Sequence, residues 1–113
     1  MDKLTKVNLL YDFYGQLLTE RQKKFIELYY CHDLSLGEIS EQFGVSRQSV
    51  YDTLRRSEQT LNKMEEKLGM VSKSLTQREY LERALLYLDR GEHSDIKNVK
   101  QILHDLIKSE EDN

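Results

Sequence analysis

Proline is absent from the 113-residue chain, glycine occurs only five times, and the single cysteine is Cys31. One cysteine cannot form a disulfide within the chain, so we expect a protein of the reducing cytoplasm. The commonest residues, among them Leu, Glu, Lys, Gln and Arg, favour helix. No stretch alternates cleanly between apolar and polar residues, so the sequence predicts an all-α protein with five to six helices.

Long apolar runs and an excess of positive charge are also missing. No run approaches the roughly 20 residues of a membrane span, and the charged N-terminus does not resemble a signal peptide. We therefore expect no membrane insertion. The 17 Lys and Arg residues face 20 Asp and Glu, which gives a net charge of −3. Because nucleic-acid binders usually carry a basic face, any basic patch here must be small and any non-specific affinity weak.

Residues that could catalyse a reaction or hold a metal are few and scattered. Cys31 and His32 are neighbours that do not share a helix face, and no other Cys and His cluster completes four zinc ligands. There is no Gly-rich phosphate loop and no nucleophile elbow. The sequence therefore predicts a protein that is not an enzyme and that uses no cofactor and no metal.

The most informative stretch is Ser35–Leu54, which has the pattern of two short helices joined by a tight turn. Ser35 and Glu38 have the spacing of a capping box. Gly44 can adopt the left-handed backbone of the turn, and Ser46 can cap the second helix. The apolar residues predicted to form the core between the helices are Leu36, Ile39, Phe43, Val45, Val50 and Leu54. This layout predicts a helix-turn-helix.

The second helix of the motif would present its polar side to DNA, because the N-terminal residues of such a helix meet base edges. Its candidate DNA-binding residues are Ser46, Arg47, Gln48, Ser49, Asp52, Arg55 and Arg56. From residue 47 to residue 56 three arginines face one aspartate, a local charge of +2. The alternative interpretation is a helical hairpin that serves only packing or protein contact.

Other helices flank the motif. We expect a first helix over Leu4–Leu18 and a second that begins at the cap Thr19. Beyond a hinge at Val71–Ser74, two further helices would start at Ser74 or Thr76 and at Ser94, with a frayed end over Ser109–Asn113. The predicted domains are a helix-turn-helix domain over residues 1–70 and a C-terminal helical hairpin over residues 71–113.

The long helix that begins at Arg47 continues its apolar stripe through Leu61, Met64 and Leu68, which have heptad-like spacing. These three residues are the candidate dimer interface, because so many apolar stripes are hard to cover within one small chain. The alternative is that the C-terminal hairpin folds back over this stripe.

Several segments resemble region 4 of bacterial sigma factors, a winged-helix-like class of DNA readers. These segments are Leu18–Gln22, Phe25, Leu28–Tyr30, Leu34–Ile39, Gly44–Ser46 and Val50–Tyr51. The similarity is closer to the YlxM family of small bacterial proteins. The segments that carry it are Asn8–Tyr14, Glu27–Tyr30, Asp33–Ile39, Val45–Gln48 and Val50–Asp52.

The resemblance covers about Asn8–Leu68 and implies a cytosolic bacterial protein with a regulatory role, linked to the signal recognition particle pathway. It implies DNA contacts through Arg47, Gln48, Ser49, Asp52 and Arg55. It leaves two functions open. The first is DNA binding, and the second is a helical adaptor that binds the GTPase of the particle, or its RNA, without reading DNA.

Overall fold

The structure, a computed structural model, describes residues 1–111. Within them it contains six α-helices and no strand, which confirms the all-α prediction but provides no β-wing. The helices are α1 Lys3–Tyr14, α2 Glu20–Ile26, α3 Leu36–Phe43, α4 Arg47–Leu68, α5 Met70–Arg90 and α6 Asp95–Glu111. A 3₁₀ turn, Gly15–Leu17, prolongs α1, and a π-helical segment, Glu27–Cys31, prolongs α2. No described helix combines the length and apolarity needed to cross a membrane.

The residues Met1–Val71 form one compact unit, the N-terminal unit, in which α1, α2 and α3 all pack on α4. Its core contains apolar side chains from each of these helices and from the connecting segments. Those that are buried include Val7, Leu10, Tyr14, Leu18, Phe25, Ile26, Leu28, Ile39, Val50, Leu54 and Leu61. The long helix is therefore the shared support on which the shorter helices are positioned.

Local hydrogen bonds fix where these helices begin. Thr19 and Gln22 form a full capping box at α2, and Ser35 and Glu38 form another at α3. Each box satisfies backbone N–H groups that have no partner inside the helix. Both caps confirm the prediction from sequence, because a capping box depends only on residues three positions apart.

A hydrogen bond between distant residues ties α1 to the π-helical segment. The Tyr11 hydroxyl donates to Oε1 of Glu27 at 2.6 Å. Burial, and then this hydrogen bond, raise the pKa of Tyr11 to about 12. The hydroxyl thus stays protonated in the folded state at a pH where an exposed tyrosine would ionise.

The predicted hinge at Val71–Ser74 is wrong, because α5 begins at Met70 directly after α4 ends. Gly69 has φ of 62° and ψ of 24°, the left-handed conformation that stops α4 and redirects the chain within one residue. Ser74 and Thr76 consequently lie inside α5 and do not cap it.

The first turn of α5 is capped by side chains that come from elsewhere in the N-terminal unit. The Met70 N–H donates to the Tyr14 hydroxyl at 3.0 Å, and the Val71 N–H donates to Oε1 of Glu65 at 3.0 Å. Tyr14 itself donates to Glu65 at 2.6 Å, and burial and this hydrogen bond raise the pKa of Tyr14. Tyr14 lies 56 residues from Met70, so local pattern gives no signal for this part of the cap, whereas Glu65 lies six residues from Val71.

The second unit begins at Ser72 and contains the rest of α5 together with α6. Its buried cluster is small and consists of Ala84, Val99 and Ile102, with Tyr80 and Tyr87 packed against it. Many of its large apolar side chains are exposed. They include Leu81, Leu85, Leu86, Leu88, Ile96, Leu103 and Ile107. This unit thus leaves apolar surface that its own core does not use.

Candidate nucleic-acid interface

The helix-turn-helix forms as predicted, with a turn of three residues between α3 and α4. Gly44 has φ of 64° and ψ of 36°, a conformation that side chains disfavour. The next residue, Val45, donates its N–H to the Ser40 carbonyl at 3.1 Å, which closes the end of α3. Ser46 then caps α4 by accepting the Ser49 N–H at 3.0 Å.

The core of the motif is partly as predicted. Ile39, Val50 and Leu54 are buried, whereas Leu36, Phe43 and Val45 are only half-buried. Phe43 stacks edge to face on the fully buried Phe25, with ring centroids 5.0 Å apart. Phe43 thus lies at the rim of the core, with one side of its ring covered.

The first turn of α2 carries a cation, Arg21, which lies over two aromatic rings. Its guanidinium carbon lies 5.6 Å from the ring centroid of Phe25 and 5.7 Å from that of Phe43. Cation–π contact offsets the unfavourable position of a positive charge near a helix N-terminus. Arg21 therefore covers the aromatic pair.

Three arginines of α4 form the positively charged part of the candidate interface. Arg47, Arg55 and Arg56 are exposed, and none of them makes an ion pair within 4.0 Å inside residues 1–111. These guanidinium groups remain available to phosphate oxygens or to guanine edges.

The helical spacing of α4 places Gln48, Asp52 and Arg55 along its outward side, opposite the buried Val50 and Leu54. Gln48 donates from Nε2 to Oδ1 of Asp52 at 3.0 Å. This contact orients the amide and occupies one oxygen of the carboxylate. The outward side thus combines a donor, an acceptor and a cation within two turns.

The two remaining candidates, Ser49 and Arg56, lie seven positions apart and share the flank of α4 beside this outward side. Ser49 donates its backbone N–H to the cap and accepts the Thr53 hydroxyl at its carbonyl, at 2.9 Å. The structure therefore brings all seven predicted residues onto the exposed N-terminal half of α4, and none of them is buried.

Gly37, in the first turn of α3, is a residue that the sequence analysis missed. A Cβ atom at this position would lie 3.0 Å from Nη2 and 3.1 Å from Nε of Arg47. The Arg47 guanidinium thus lies directly against the backbone of α3. The one signal in the sequence is a glycine inside a helix, where it costs about 1 kcal/mol relative to alanine.

The candidate dimer seam is not continuous on the surface. Leu61 is 0% exposed and belongs to the core of the N-terminal unit, so the prediction that it faces another copy is wrong. Met64 is half-buried and Leu68 is 57% exposed. The interface prediction therefore depends on Met64 and Leu68.

Within the described residues, no three or more His, Cys, Asp or Glu side chains are grouped so that they could hold a metal ion. Cys31 is exposed and unpaired with any other cysteine. The chemistry of the interface is thus that of hydrogen bonds, guanidinium groups and helix-terminal N–H groups.

Comparison with known proteins gives a consistent match over nearly the whole chain. A family model described as "Putative helix-turn-helix protein, YlxM / p13 like" matches residues 1–102. A UPF0122 protein of Desulforamulus reducens is 49% identical over 116 aligned residues, which cover 99% of both chains. One of Oceanobacillus iheyensis is 46% identical over 103 residues, or 90% of this chain and 98% of the relative. One of Geobacillus kaustophilus is 47% identical over 95 residues, or 84% and 86% respectively.

Proposed function

The chain belongs to the YlxM/p13-like helix-turn-helix family, and we propose that it is a DNA-binding regulatory protein of the cytoplasm. In this proposal α4 enters the major groove with its N-terminal half. The observation that carries the proposal is the set of three exposed arginines, free of ion pairs within the described chain, on one half of the second motif helix.

The contacts divide between phosphates and bases. The capped N-terminus of α4 points free N–H groups and the positive end of the helix dipole outward, which suits a phosphate. Arg47 lies at this end and Arg55 and Arg56 lie farther along α4, and all three would contact the DNA backbone. Gln48 suits adenine and Asp52 suits cytosine, because their donors and acceptors match those base edges.

The charge distribution favours binding to particular DNA sites over non-specific binding along DNA. The chain has a net charge of −3, whereas the segment from residue 47 to residue 56 carries +2. The rest of the chain therefore carries a net negative charge, which DNA phosphates repel. Only a few phosphate contacts oppose this repulsion. Base contacts through Gln48 and Asp52 would then supply much of the affinity for a particular site.

Fluorescence anisotropy with a mixed-sequence DNA duplex at low salt tests this proposal. We expect the wild type to bind and Arg47→Ala, Arg55→Ala and Arg56→Ala each to weaken binding. Arg78→Ala is the control, because Arg78 lies in α5 and pairs with Glu82 at 3.0 Å. Absence of wild-type binding at low salt would refute DNA binding, and equal losses in the control would refute the assignment to α4.

A second candidate function is a protein adaptor that acts through the second unit. Its support is the exposed apolar surface of that unit, where Leu85 is 57% exposed and Leu86 is 65% exposed. Large exposed apolar patches mark protein interaction sites. The partner implied by family resemblance is the GTPase of the signal recognition particle, or the RNA of the particle.

Pull-down of the purified GTPase, with and without the particle RNA, tests the adaptor. We expect nuclease-treated GTPase to bind the wild type and to lose binding to Leu85→Glu with Leu86→Glu. Arg56→Ala should leave this binding unchanged. Capture that requires the RNA, or that survives the double substitution, would contradict protein docking through this surface.

A further inference from the structure

A groove that the proposed duplex contacts do not explain lies on the N-terminal unit beside α4. It encloses about 420 Å³ and is bounded by the start of α1, the π-helical segment, α3 and the middle of α4. This volume falls in the range of small-ligand sites, about 300–1,000 Å³. Three tyrosines, Tyr29, Tyr30 and Tyr51, contribute to its wall.

Two of these rings are available to a ligand and the third is held in place. Tyr29 is 36% exposed and Tyr51 is 48% exposed. Tyr30 packs edge to face on Tyr29, with centroids 5.0 Å apart and ring planes at 81°. Burial, and then a hydrogen bond to Glu58, raise the pKa of Tyr30, so its hydroxyl remains a neutral donor to that carboxylate.

Among the described residues, one carboxylate lines the groove, and it is already paired. Glu58 accepts from Tyr30 and lies 3.2 Å from Nζ of Lys3. Arg55 lines the same groove and makes no ion pair within the described residues. Two cations against one carboxylate leave the lining with a formal charge of +1, which favours an anionic ligand.

Two amides add hydrogen-bonding capacity to the same wall. Gln59 and Asn62 are exposed and lie along α4 beside Arg55. Neither side chain has a hydrogen-bond partner in the part of the chain that the structure describes. Each amide can both donate and accept, as the edge of a nucleobase requires.

We propose that this groove binds one unpaired nucleotide, with its base stacked on Tyr51, the more exposed ring, and its phosphate on Arg55. Gln59 and Asn62 would read the edge of the base. Stacking on exposed aromatic rings combined with a cation is how proteins bind single-stranded nucleic acid. A purely apolar peptide side chain would leave the guanidinium and both amides without partners, which is costly.

The nucleotide could come from two sources, a free mononucleotide or a residue of a single strand. Both present the same base and phosphate, and the groove chemistry is the same for both. Of the seven residues proposed for the duplex interface, Arg55 is the one that lines this groove within the described part of the chain. Because Arg55 belongs to both sites, a substitution of Arg55 does not distinguish them.

The test is a ¹H–¹⁵N NMR titration of the whole chain with adenosine 5′-monophosphate and, separately, with a ten-residue single-stranded adenylate. We expect shifts at the amides of Tyr29, Tyr51 and Asn62. Anisotropy with the labelled strand should show about tenfold weaker binding for Tyr51→Leu, because the base loses the ring on which it stacks, and wild-type affinity in this variant would overturn the proposal. Asn62→Ala, a surface change, should weaken binding independently.

Phe13→Leu is the matched control, because Phe13 is an aromatic residue that is 38% exposed and lies outside the groove. It should bind like the wild type, and duplex binding should survive Tyr51→Leu. Shifts with the mononucleotide identify a free nucleotide as sufficient, and shifts with the strand alone identify single-stranded nucleic acid. The proposal is overturned if neither probe shifts the groove, or if N-acetyltyrosinamide does so and the nucleotides do not, which would indicate a protein partner.

Discussion

Phe25 and Phe43 form one aromatic contact but differ in how much they stabilise the motif. Phe25 is 0% exposed, whereas Phe43 is half-buried at the rim. The sequence predicts a loss of roughly 3–5 kcal/mol for Phe43→Ala if that ring is buried. We now expect a loss of about 3–5 kcal/mol for Phe25→Ala, and a clearly smaller loss for Phe43→Ala. Urea unfolding of both variants measures this, and equal losses would contradict the burial difference.

Tyr11 makes stability depend on pH in the alkaline range. Its folded-state pKa of about 12 lies above the ordinary value of 10.0. Its contribution is therefore complete below pH 10 and is lost as the pH rises toward 12, because the unfolded chain releases the proton first. We expect Tyr11→Phe to flatten the fall of unfolding free energy between pH 10 and pH 12, measured by urea titration. An unchanged slope would contradict the raised pKa of Tyr11, which burial and then the Tyr11–Glu27 hydrogen bond cause.

A substitution at Gly37 should weaken duplex binding without lowering the free energy of unfolding. A methyl group there would displace the flexible end of Arg47, while alanine favours helix by up to about 1 kcal/mol. We expect Gly37→Ala to keep or raise the unfolding free energy and to weaken duplex binding. Gly69→Ala is not a suitable control, because Gly69 has φ of 62°. Thr76→Ala is suitable, because Thr76 is an exposed residue inside α5. Unchanged DNA affinity in Gly37→Ala would show that the position of Arg47 is unimportant.

At the scale of helices, the sequence predicts the caps and turns that depend on residues close together in the chain. The capping boxes, the Gly44 turn and the Ser46 cap are local, and all of them form as expected. The start of α5 could not be predicted, because its first N–H groups bond to Tyr14 and Glu65. Tyr14 lies 56 residues from Met70, and only the fold brings these two residues together.

The candidate site follows the same division. The seven residues of α4 follow from helical periodicity, since one helix determines which of its sides faces outward. The contact of Arg47 with Gly37 joins two helices, and the tyrosine groove joins residues from Lys3 to Asn62. Local sequence patterns do not predict contacts between separate elements. The Arg47–Gly37 contact and the tyrosine groove are therefore seen only in the structure.

For the whole molecule we propose a homodimer, a state that helix-turn-helix proteins use to meet two half-sites. Leu61→Glu would place a charge in the core and unfold the N-terminal unit. Met64→Glu with Leu68→Glu is the appropriate variant. Sedimentation equilibrium at micromolar concentration should give a dimer mass for the wild type and a monomer mass for this variant, with helicity retained by circular dichroism. A monomeric wild type would contradict the proposal.

The central claim is that the arginines of α4 neutralise DNA phosphates, and the salt dependence of binding tests it most directly. Each phosphate contact contributes about −0.9 to the slope of log K against log salt concentration. With three arginines we expect a slope of about −3 for the wild type and a slope near zero for the triple variant Arg47→Ala, Arg55→Ala, Arg56→Ala. A triple variant that binds duplex DNA with the wild-type slope would contradict the claim.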